Sequence, residues 1–588
     1  MNQKSIAVLP FKNISSDVEN EYFADGMTEE LINAISKIDG LKVTARTSSF
    51  AYKNKQVDVR HVGNDLGVSM VLEGSVRKAK DSVRIGAQLI RTDNGFHIWS
   101  ESFDRKLENI FELQDEISLL IADKIRENFG HIEIEEHLVQ SQTKNIEAYQ
   151  LYLKGRFYQL NWKLEDFPRA IELYKQSIQL DSSYYQPYFG IVQCLGILAS
   201  WTFIDKKQAA VDAEKYLAQG MAIKANSPEG ALALATHSFW VNWDVQAGLS
   251  HLKKALGFSP NDTEALEATA ECYTAIGEFE KALLHINKGL EYNPLSANHC
   301  YTKGNVYYLD GQLDKAIFWM DKSLDIDPQW DLALQIKACC FVLTKDKTSL
   351  VELTDHYPTL PNKKDFILLY EVINEYKEVK EDDFSKDHTG YLPWEIYVPL
   401  YLGDTQKAIE ALKFGIANRL GQYINFLNDP FLIPLREIPA YQHLASKTFI
   451  GKETHLPLTK KLAKEPPVLS ASELEVFKVA LLEVMEEKQP YLSPELSLRS
   501  LAETIQLHPN KLSRLLNEEI GKNFNDFIND YRLKAFQAKA INPTNNHLTL
   551  LGLAFESGFN SKSVFNDFFK KTTGLTPKAW VKENRKKY

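Results

Sequence analysis

The sequence predicts a multidomain protein with an α/β amino-terminal domain, an all-α solenoid of helical repeats, and an all-α region that carries two helix-turn-helix patterns. Three observations lead to this fold class. Strand and helix patterns alternate up to about residue 130, a 34-residue period follows, and two pairs of short helices with tight turns occur after residue 495. At 588 residues the chain is too long for a single hydrophobic core.

Residues 1–135 are predicted to form the α/β domain. The first strand is SIAVLPF, and EYFADGMTEELINAISKI is an amphipathic helix with Phe23, Met27, Leu31 and Ile35 on one face. LKVTART is a second strand, and the short helix VRHVGNDLG ends at Gly67. Alternating strands with turns near residues 80 and 94 follow, and a long helix, ENIFELQDEISLLIADKIRENF, closes the domain.

Several segments of this domain resemble the TolB-like amino-terminal domain of the FlgO type over nearly all of residues 4–128. They include PFKNISSDVENEYFADGMTEELINAISKIDGLKVTARTSSF and VLEGSVRKAKDSVRIGAQLI. In other bacterial proteins such a domain precedes helical repeats and varied output domains, including cyclases. The resemblance does not identify a ligand. No phosphate-binding G-x-x-x-x-G-K-[ST] loop occurs, and we expect no cofactor.

Residues 144–345 repeat with a fixed period. Three sets of residues stand 34 positions apart, namely Pro260, Pro294 and Pro328, Gly277 and Gly311, and Ala282 and Ala316. This pattern resembles the tetratricopeptide repeat, in which paired helices stack into a curved solenoid with a concave face. Weaker copies cover residues 148–181 and 231–260. Such faces bind a peptide or another domain, so we expect a protein or peptide partner; a spacer or an oligomer contact is the alternative.

Residues 346–450 are predicted to be degenerate helical repeats. One pair remains visible in Val398–Ile416, where Gly403 and Ala408 keep the repeat spacing, and Leu427–Leu444 is typical of the end of such an array. The polar, Pro-bearing segment 451–471 is predicted to be a linker. The uncharged stretch Ser182–Ile204 contains Gln and Pro and favours a buried helical pair over a membrane span, so we expect no membrane association.

Five cysteines show no C-x-x-C pair and no His at metal-ligand spacing. This count inside helical patterns indicates buried thiols in a reducing compartment, so we expect a cytoplasmic protein without a metal site.

The two helix-turn-helix patterns are LSLRSLAETIQLHPNKLSRLLNEEIG and LTLLGLAFESGFNSKSVFNDFFKKTTGLTP. Each has a small residue, Ala502 or Ala554, on the inner face of its first helix. From residue 491 onward there are 15 Lys and Arg against 9 Asp and Glu, whereas the rest of the chain has 53 against 69. A basic end on an acidic body indicates a nucleic-acid-binding module attached to a region of another function.

Residues 472–588 resemble the DNA-binding domain of the AraC family, and GFNSKSVFNDFFKKTTGLTP is close to the signature of its second motif. The resemblance implies two reading helices in successive major-groove segments, about 34 Å apart. The first turn departs from the family because Gln506-Leu507-His508 replaces the expected glycine. The residues predicted to read bases are Asn510, Lys511, Ser513, Arg514, Lys562, Ser563 and Asn566, and those predicted to contact phosphate are Lys522, Lys570, Lys571 and Arg585.

Together these patterns predict a bacterial transcription regulator that binds double-stranded DNA and senses an effector or protein through residues 1–450. The alternative is a tetratricopeptide interaction scaffold with weak DNA binding. We expect no enzyme, since catalytic motifs such as G-x-S-x-G and H-E-x-x-H are absent and the separate catalytic domain of TolB-like cyclases is not recognisable. A homodimer through the solenoid is compatible with the sequence, but no heptad pattern supports it.

Overall fold

The computed structural model describes residues 4–160, 163–200, 203–386, 388, 391–449 and 471–584. It contains an α/β domain, a helical solenoid and a helical carboxy-terminal region, in the order that the sequence predicts. The predicted linker at 451–471 and the predicted phosphate contact Arg585 fall outside the described residues, except for residue 471, which begins a helix.

The α/β domain has one mixed sheet with helices packed on it. In chain order its elements are β1 (Ser5–Val8), β2 (Lys12–Asn13), α1 (Glu21–Ile35), β3 (Lys42–Val43), α2 (Arg46–Phe50), α3 (Val59–Leu66), β4 (Met70–Ala79), β5 (Ser82–Arg91), β6 (His97–Lys106) and α4 (Ile110–Phe129). The strand order is β3-β1-β4-β5-β6, and β2 pairs with β4. The pairs that involve β1 or β2 are parallel, while β4, β5 and β6 form an antiparallel meander.

Turn chemistry sets the element boundaries in this domain. Gly67 ends α3 at φ 61°, Gly95 lies at φ 74° between β5 and β6, and Lys80 lies at φ 50° between β4 and β5. The predicted strand LKVTART is only two residues long and is followed by the unpredicted helix α2. The sheet pairing ends there because the amide of Ala45 donates to the carbonyl of Tyr292 in the solenoid.

The solenoid consists of antiparallel helix pairs. Its helices are α5 (Ile146–Gln159), α6 (Asp166–Leu180), α7 (Gln186–Ser200), α8 (Lys206–Ile223), α9 (Pro228–Thr236), α10 (Val245–Phe258), α11 (Thr263–Ala275), α12 (Phe279–Tyr292), α13 (Ala297–Leu309), α14 (Leu313–Ile326), α15 (Asp331–Thr344), α16 (Lys347–His356), α17 (Lys363–Glu375), α18 (Trp394–Tyr401), α19 (Thr405–Ala417) and α20 (Pro439–Lys447).

The 34-residue period confirms the repeat. Both helices of the pair α11 and α12 begin 34 residues before their counterparts α13 and α14. Gly277 and Gly311 occupy the same turn at φ 77° and 76°, and Ala282 and Ala316 are fully buried where the paired helices touch. The predicted late pair is present as α18 and α19, with Gly403 at φ 92° between them.

Of the uncharged stretch Ser182–Ile204, residues 186–200 form one helix, α7, and α7 pairs with the charged helix α8 rather than with a second uncharged helix. Almost all of α7 is buried among its neighbours. Among the helices described, none is both long enough and apolar enough to cross a bilayer.

The α/β domain packs against the solenoid. Helix α1 lies on α5, where Glu29 forms ion pairs with Arg156 at 2.5 Å and with Arg46 at 3.5 Å. Farther along the solenoid, the amide and the hydroxyl of Ser48 both donate to Asn293 Oδ1, at 3.1 and 2.7 Å. A cavity of about 1270 Å³ remains between the two, lined by α1, α2 and the solenoid helices that face them.

Candidate nucleic-acid interface

The carboxy-terminal region contains two structurally equivalent helix-turn-helix units. After α21 (Ala471–Glu487), the first unit is α22 (Leu498–Thr504) and α23 (Pro509–Arg514), and α23 continues as a π-helical turn over Leu515–Glu519. The connecting helix is α24 (Phe524–Ile541). The second unit is α25 (Leu550–Phe555) and α26 (Lys562–Thr573), followed by α27 (Pro577–Asn584).

The two tight turns share one backbone hydrogen-bond pattern. In the first, the amide of Leu507 donates to Ala502 O at 2.9 Å, and in the second the amide of Phe559 donates to Ala554 O at 3.2 Å. Each bond is preceded by a residue in the left-handed region, Gln506 at φ 53° and Gly558 at φ 96°. Gln506 therefore takes the conformation of the glycine that the first turn lacks.

Side-chain caps fix where the reading helices begin. His508 Nδ1 accepts from the amide of Asn510 at 3.2 Å and caps α23, and Pro509 follows at the first helical position. Ser561 caps α26 by accepting from the amide of Val564. The polar residues at the start of each reading helix are thereby held at the end next to the turn.

Each unit has its own small core, and α24 contributes to both. Phe524, Phe527 and Ile528 pack in the first core, while Leu533 and Phe536 pack in the second. Because one continuous helix enters both cores, the two units are held in a fixed spacing.

Arg532, in the middle of α24, ties the two units together. Its Nε donates to Tyr491 O and its Nη2 to Ser493 O, both at 2.8 Å, and Gly558 of the second turn lies against it. Burial lowers the pKa of the Arg532 guanidinium to about 10. This positioning role was not predicted from the sequence, where an arginine among apolar positions of the connecting helix was the available signal.

The second reading helix presents most of its predicted residues to solvent. Lys562 and Ser563, at the start of α26, are exposed and Asn566 is half-buried, whereas Phe565 and Phe569 of the same helix are buried in the core. The predicted phosphate contacts Lys570 and Lys571 are exposed at the end of the same helix.

The first reading helix is covered by the α/β domain, which the sequence did not predict. Asn510 and Arg514 are only partly accessible because they bond to residues of the α/β domain, and Lys511 is half-buried. Ser513 was predicted to face outward, but it is fully buried, since it shares with Asn510 and Arg514 the helix face that the α/β domain covers. The predicted phosphate contact Lys522 forms an ion pair with Asp530.

Comparisons with known proteins match three separate parts of the chain. A family model described as "Helix-turn-helix domain" matches residues 501–583. One described as "HilA/YgeH-like transcriptional regulator, second domain" matches residues 2–120, and one described as "Tetratricopeptide repeat" matches residues 298–329. The match at the amino-terminal end is to the HilA/YgeH-like model, so the TolB-like resemblance stays a prediction.

Among curated proteins, the "Putative adenylate cyclase 3" of Rhizobium meliloti (strain 1021) is 38% identical over 242 residues, and the match spans 40% of this chain and 40% of that protein. Among solved structures, a tetratricopeptide-repeat protein of Thermus thermophilus is 16% identical, covers 33% of this chain and 99% of its own, and has a TM-score of 0.29. The human IFIT1 dimer is 14% identical, covers 71% of this chain and 78% of its own, and has a TM-score of 0.34.

The geometry and the family models agree on the carboxy-terminal units and on the repeats. The chain therefore joins a helix-turn-helix domain of the AraC type to tetratricopeptide repeats and a HilA-like regulator domain.

Proposed function

We propose that this chain is a sequence-specific DNA-binding transcription regulator that reads bases through α23 and α26 and receives its signal through the α/β domain and the solenoid. The observation that carries the proposal is α26, a capped helix with one face in a local core and a polar, cationic face in solvent. A helix of this kind fits a major groove of B-DNA.

The exposed groups of α26 have the chemistry for base and phosphate contacts. The amide of Asn566 can pair with adenine, and the Lys562 ammonium can donate to guanine acceptors, each worth about 1–3 kcal/mol of discrimination. Lys570 and Lys571 supply charges that neutralise phosphates without reading sequence, so binding through them weakens as salt rises.

The connecting helix supports a two-site arrangement. Its 18 residues span about 27 Å at 1.5 Å per residue. That length is comparable with the pitch of B-DNA, about 34 Å, which separates successive major-groove segments on one side of a duplex. Asn510, Lys511 and Arg514 of α23 would then read the neighbouring segment, with Arg514 suited to bind guanine through two hydrogen bonds.

The test is selection of random duplexes by the purified full chain at a fixed salt concentration. We expect one enriched motif, and Lys562→Ala should reduce affinity for it roughly tenfold or more and relax the preference at the contacted base pairs. Lys534→Ala removes the same charge from the connecting helix and is the matched control. Recovery of sequence-independent binding alone, abolished by salt, would contradict base reading and favour an interaction scaffold built on the solenoid.

We assign no catalytic role to the chain. The Rhizobium relative is named as a putative adenylate cyclase, but the match covers only 40% of that protein. Among the described residues, no group of three or more His, Cys, Asp or Glu side chains is arranged to hold a metal ion.

A further inference from the structure

The carboxy-terminal half of α4 and the segment after it form a polar surface that we call the α4 surface, with Asp123, Arg126, Glu127, Asn128 and Glu133 as its main side chains. These residues belong to the α/β domain, more than 350 positions before the helix-turn-helix units that they contact. The contact is dominated by hydrogen bonds and ion pairs rather than by apolar packing, as in interfaces that form and break.

The α4 surface occupies the groups of α23 that are proposed to read bases. Arg126 Nη1 donates to Asn510 Oδ1, and Asn510 Nδ2 donates to the carbonyl of Ile134 at 3.2 Å. Arg514 Nη2 forms an ion pair with Glu133 Oε1 at 2.8 Å. Both ends of the Asn510 amide and the guanidinium of Arg514 are thus engaged by the chain itself, and neither is available for a base.

Carboxylates of the α4 surface also bond to donors of the first unit that are of the type used to bind DNA phosphates. Asp123 Oδ2 lies 3.1 Å from Arg499 Nη2, and Glu127 Oε1 accepts from the backbone amide of Leu498 at 3.1 Å. Arginine side chains and backbone amides are the donors that proteins direct at phosphate oxygens. Arg499 lies next to the capped start of α22 and was not among the contacts predicted from the sequence.

Further contacts extend the interface to α24. Asn523 Nδ2 donates to the carbonyl of Asn128 at 3.2 Å, and Asn525 Nδ2 donates to Asn128 Oδ1 at 3.0 Å. Arg126 is only 2% exposed because α23 covers it, and its Nη2 is held by Asp123 Oδ1 at 2.5 Å. The side chains of the α4 surface are therefore arranged to bind the first helix-turn-helix unit.

The second helix-turn-helix unit is not engaged in this way. Within the described part of the chain, no hydrogen bond or ion pair joins residues 543–584 to the α/β domain. The two units therefore differ in accessibility: the α/β domain covers the first unit, and the second remains accessible.

We infer that the α4 surface is a docking site for the DNA-facing side of the first helix-turn-helix unit, and that it presents carboxylates and carbonyls where a duplex would present phosphates and base edges. The first unit can then bind the α/β domain or DNA, but not both at once. The docked chain contacts DNA through its second unit alone, and undocking adds the first. This inference rests on the proposed function.

The experiment compares Glu133→Lys with Glu136→Lys in the full chain. Glu133→Lys places a cation against Arg514, whereas Glu136 is exposed and has no ion pair with the reading helix, so that variant adds the same charge outside the interface. A duplex is first selected from a random pool with both the unaltered chain and Glu133→Lys. The measurement is the affinity of each variant for that duplex, carrying a label. We expect Glu133→Lys to raise affinity at least tenfold over Glu136→Lys, because a charge-assisted bond that opposes DNA binding is lost.

A second measurement follows the α4 surface directly. In the unaltered chain, saturating duplex should accelerate amide hydrogen exchange in residues 123–134, because that segment loses its cover while α23 gains DNA. Unchanged exchange there, together with equal affinities of the two lysine variants, would overturn the docking inference. If neither variant nor the unaltered chain selects any duplex, while Glu133→Lys still accelerates exchange in residues 123–134, the docking contact stands and the DNA-binding proposal fails.

Discussion

Gly558 is the position where the geometry of the second helix-turn-helix unit can be tested most directly, through Gly558→Ala. Its φ of 96° is unfavourable for a residue with a side chain. An added Cβ would lie 2.1 Å from Tyr491 O, 2.9 Å from Arg532 Nε and 3.1 Å from Leu492 Cα. Two of these three atoms are backbone atoms of residues 491 and 492, so the second turn itself must move away from that segment.

The cost of that movement has two parts. The left-handed conformation costs a non-glycine residue about 1–2 kcal/mol. Displacing the turn also disturbs Arg532, whose bonds to Tyr491 O and Ser493 O are charge-assisted and worth about 1.5–3 kcal/mol each. Loss of one such bond together with the conformational cost gives about 2.5–5 kcal/mol of local destabilisation.

Gly574→Ala is the matched control. Gly574 has a φ of 74°, but no atom lies within 4 Å of the position of its added Cβ, so only the conformational cost of about 1–2 kcal/mol applies. Native-state amide exchange of peptides from α26 in the full chain measures both effects. Exchange should accelerate by about sixtyfold or more in Gly558→Ala and markedly less in Gly574→Ala. Equal acceleration would refute the assigned contact between the turn and Arg532.

Three further predictions address other parts of the chain. Gln506→Gly removes the conformational cost at φ 53° and should stabilise α22 and α23 by roughly 0.5–1 kcal/mol, measured as slower exchange in both helices; faster exchange would contradict this. Burial raises the pKa of Asp429 to about 6, so its contribution to stability is present below about pH 4 and is lost as pH rises through 6, about 3 kcal/mol in all. Urea unfolding of Asp429→Asn from pH 4 to 8 should therefore lack most of the decline seen in the unaltered chain. Asn293→Ala removes the acceptor of both Ser48 donors and should accelerate exchange in residues 45–50, whereas unchanged exchange would show that this contact does not hold the α/β domain.

Local patterns were sufficient to predict most helices and strands. The 34-residue spacing of Gly277 and Gly311 located two helix pairs, because a left-handed turn is needed at the same point of every repeat. The helix-turn-helix units followed from the inner alanines Ala502 and Ala554, both fully buried in the structure. These features depend on interactions between residues close in the chain.

Contacts between distant segments could not be predicted in the same way. Arg126 and Asn510 are 384 positions apart, and no sequence pattern around either residue predicts contact with the other. Ser513 lies on the helix face away from the core of its own unit, as predicted, but its burial depends on a separate domain. The helix α2 likewise begins where Ala45 bonds to the solenoid, a contact that no local propensity encodes.

The attachment of the α/β domain to the solenoid has a mechanical consequence. Glu29 forms an ion pair with Arg156 of α5, and Ser48 bonds to Asn293 just after α12. The α/β domain is therefore attached to the solenoid at two points several repeats apart. The curvature of a solenoid follows from small rotations between neighbouring repeats. Bending or stretching the solenoid must therefore strain or break one of these two contacts. Because α4 belongs to the same rigid sheet domain, a force applied to the repeats is delivered to the helix that covers α23.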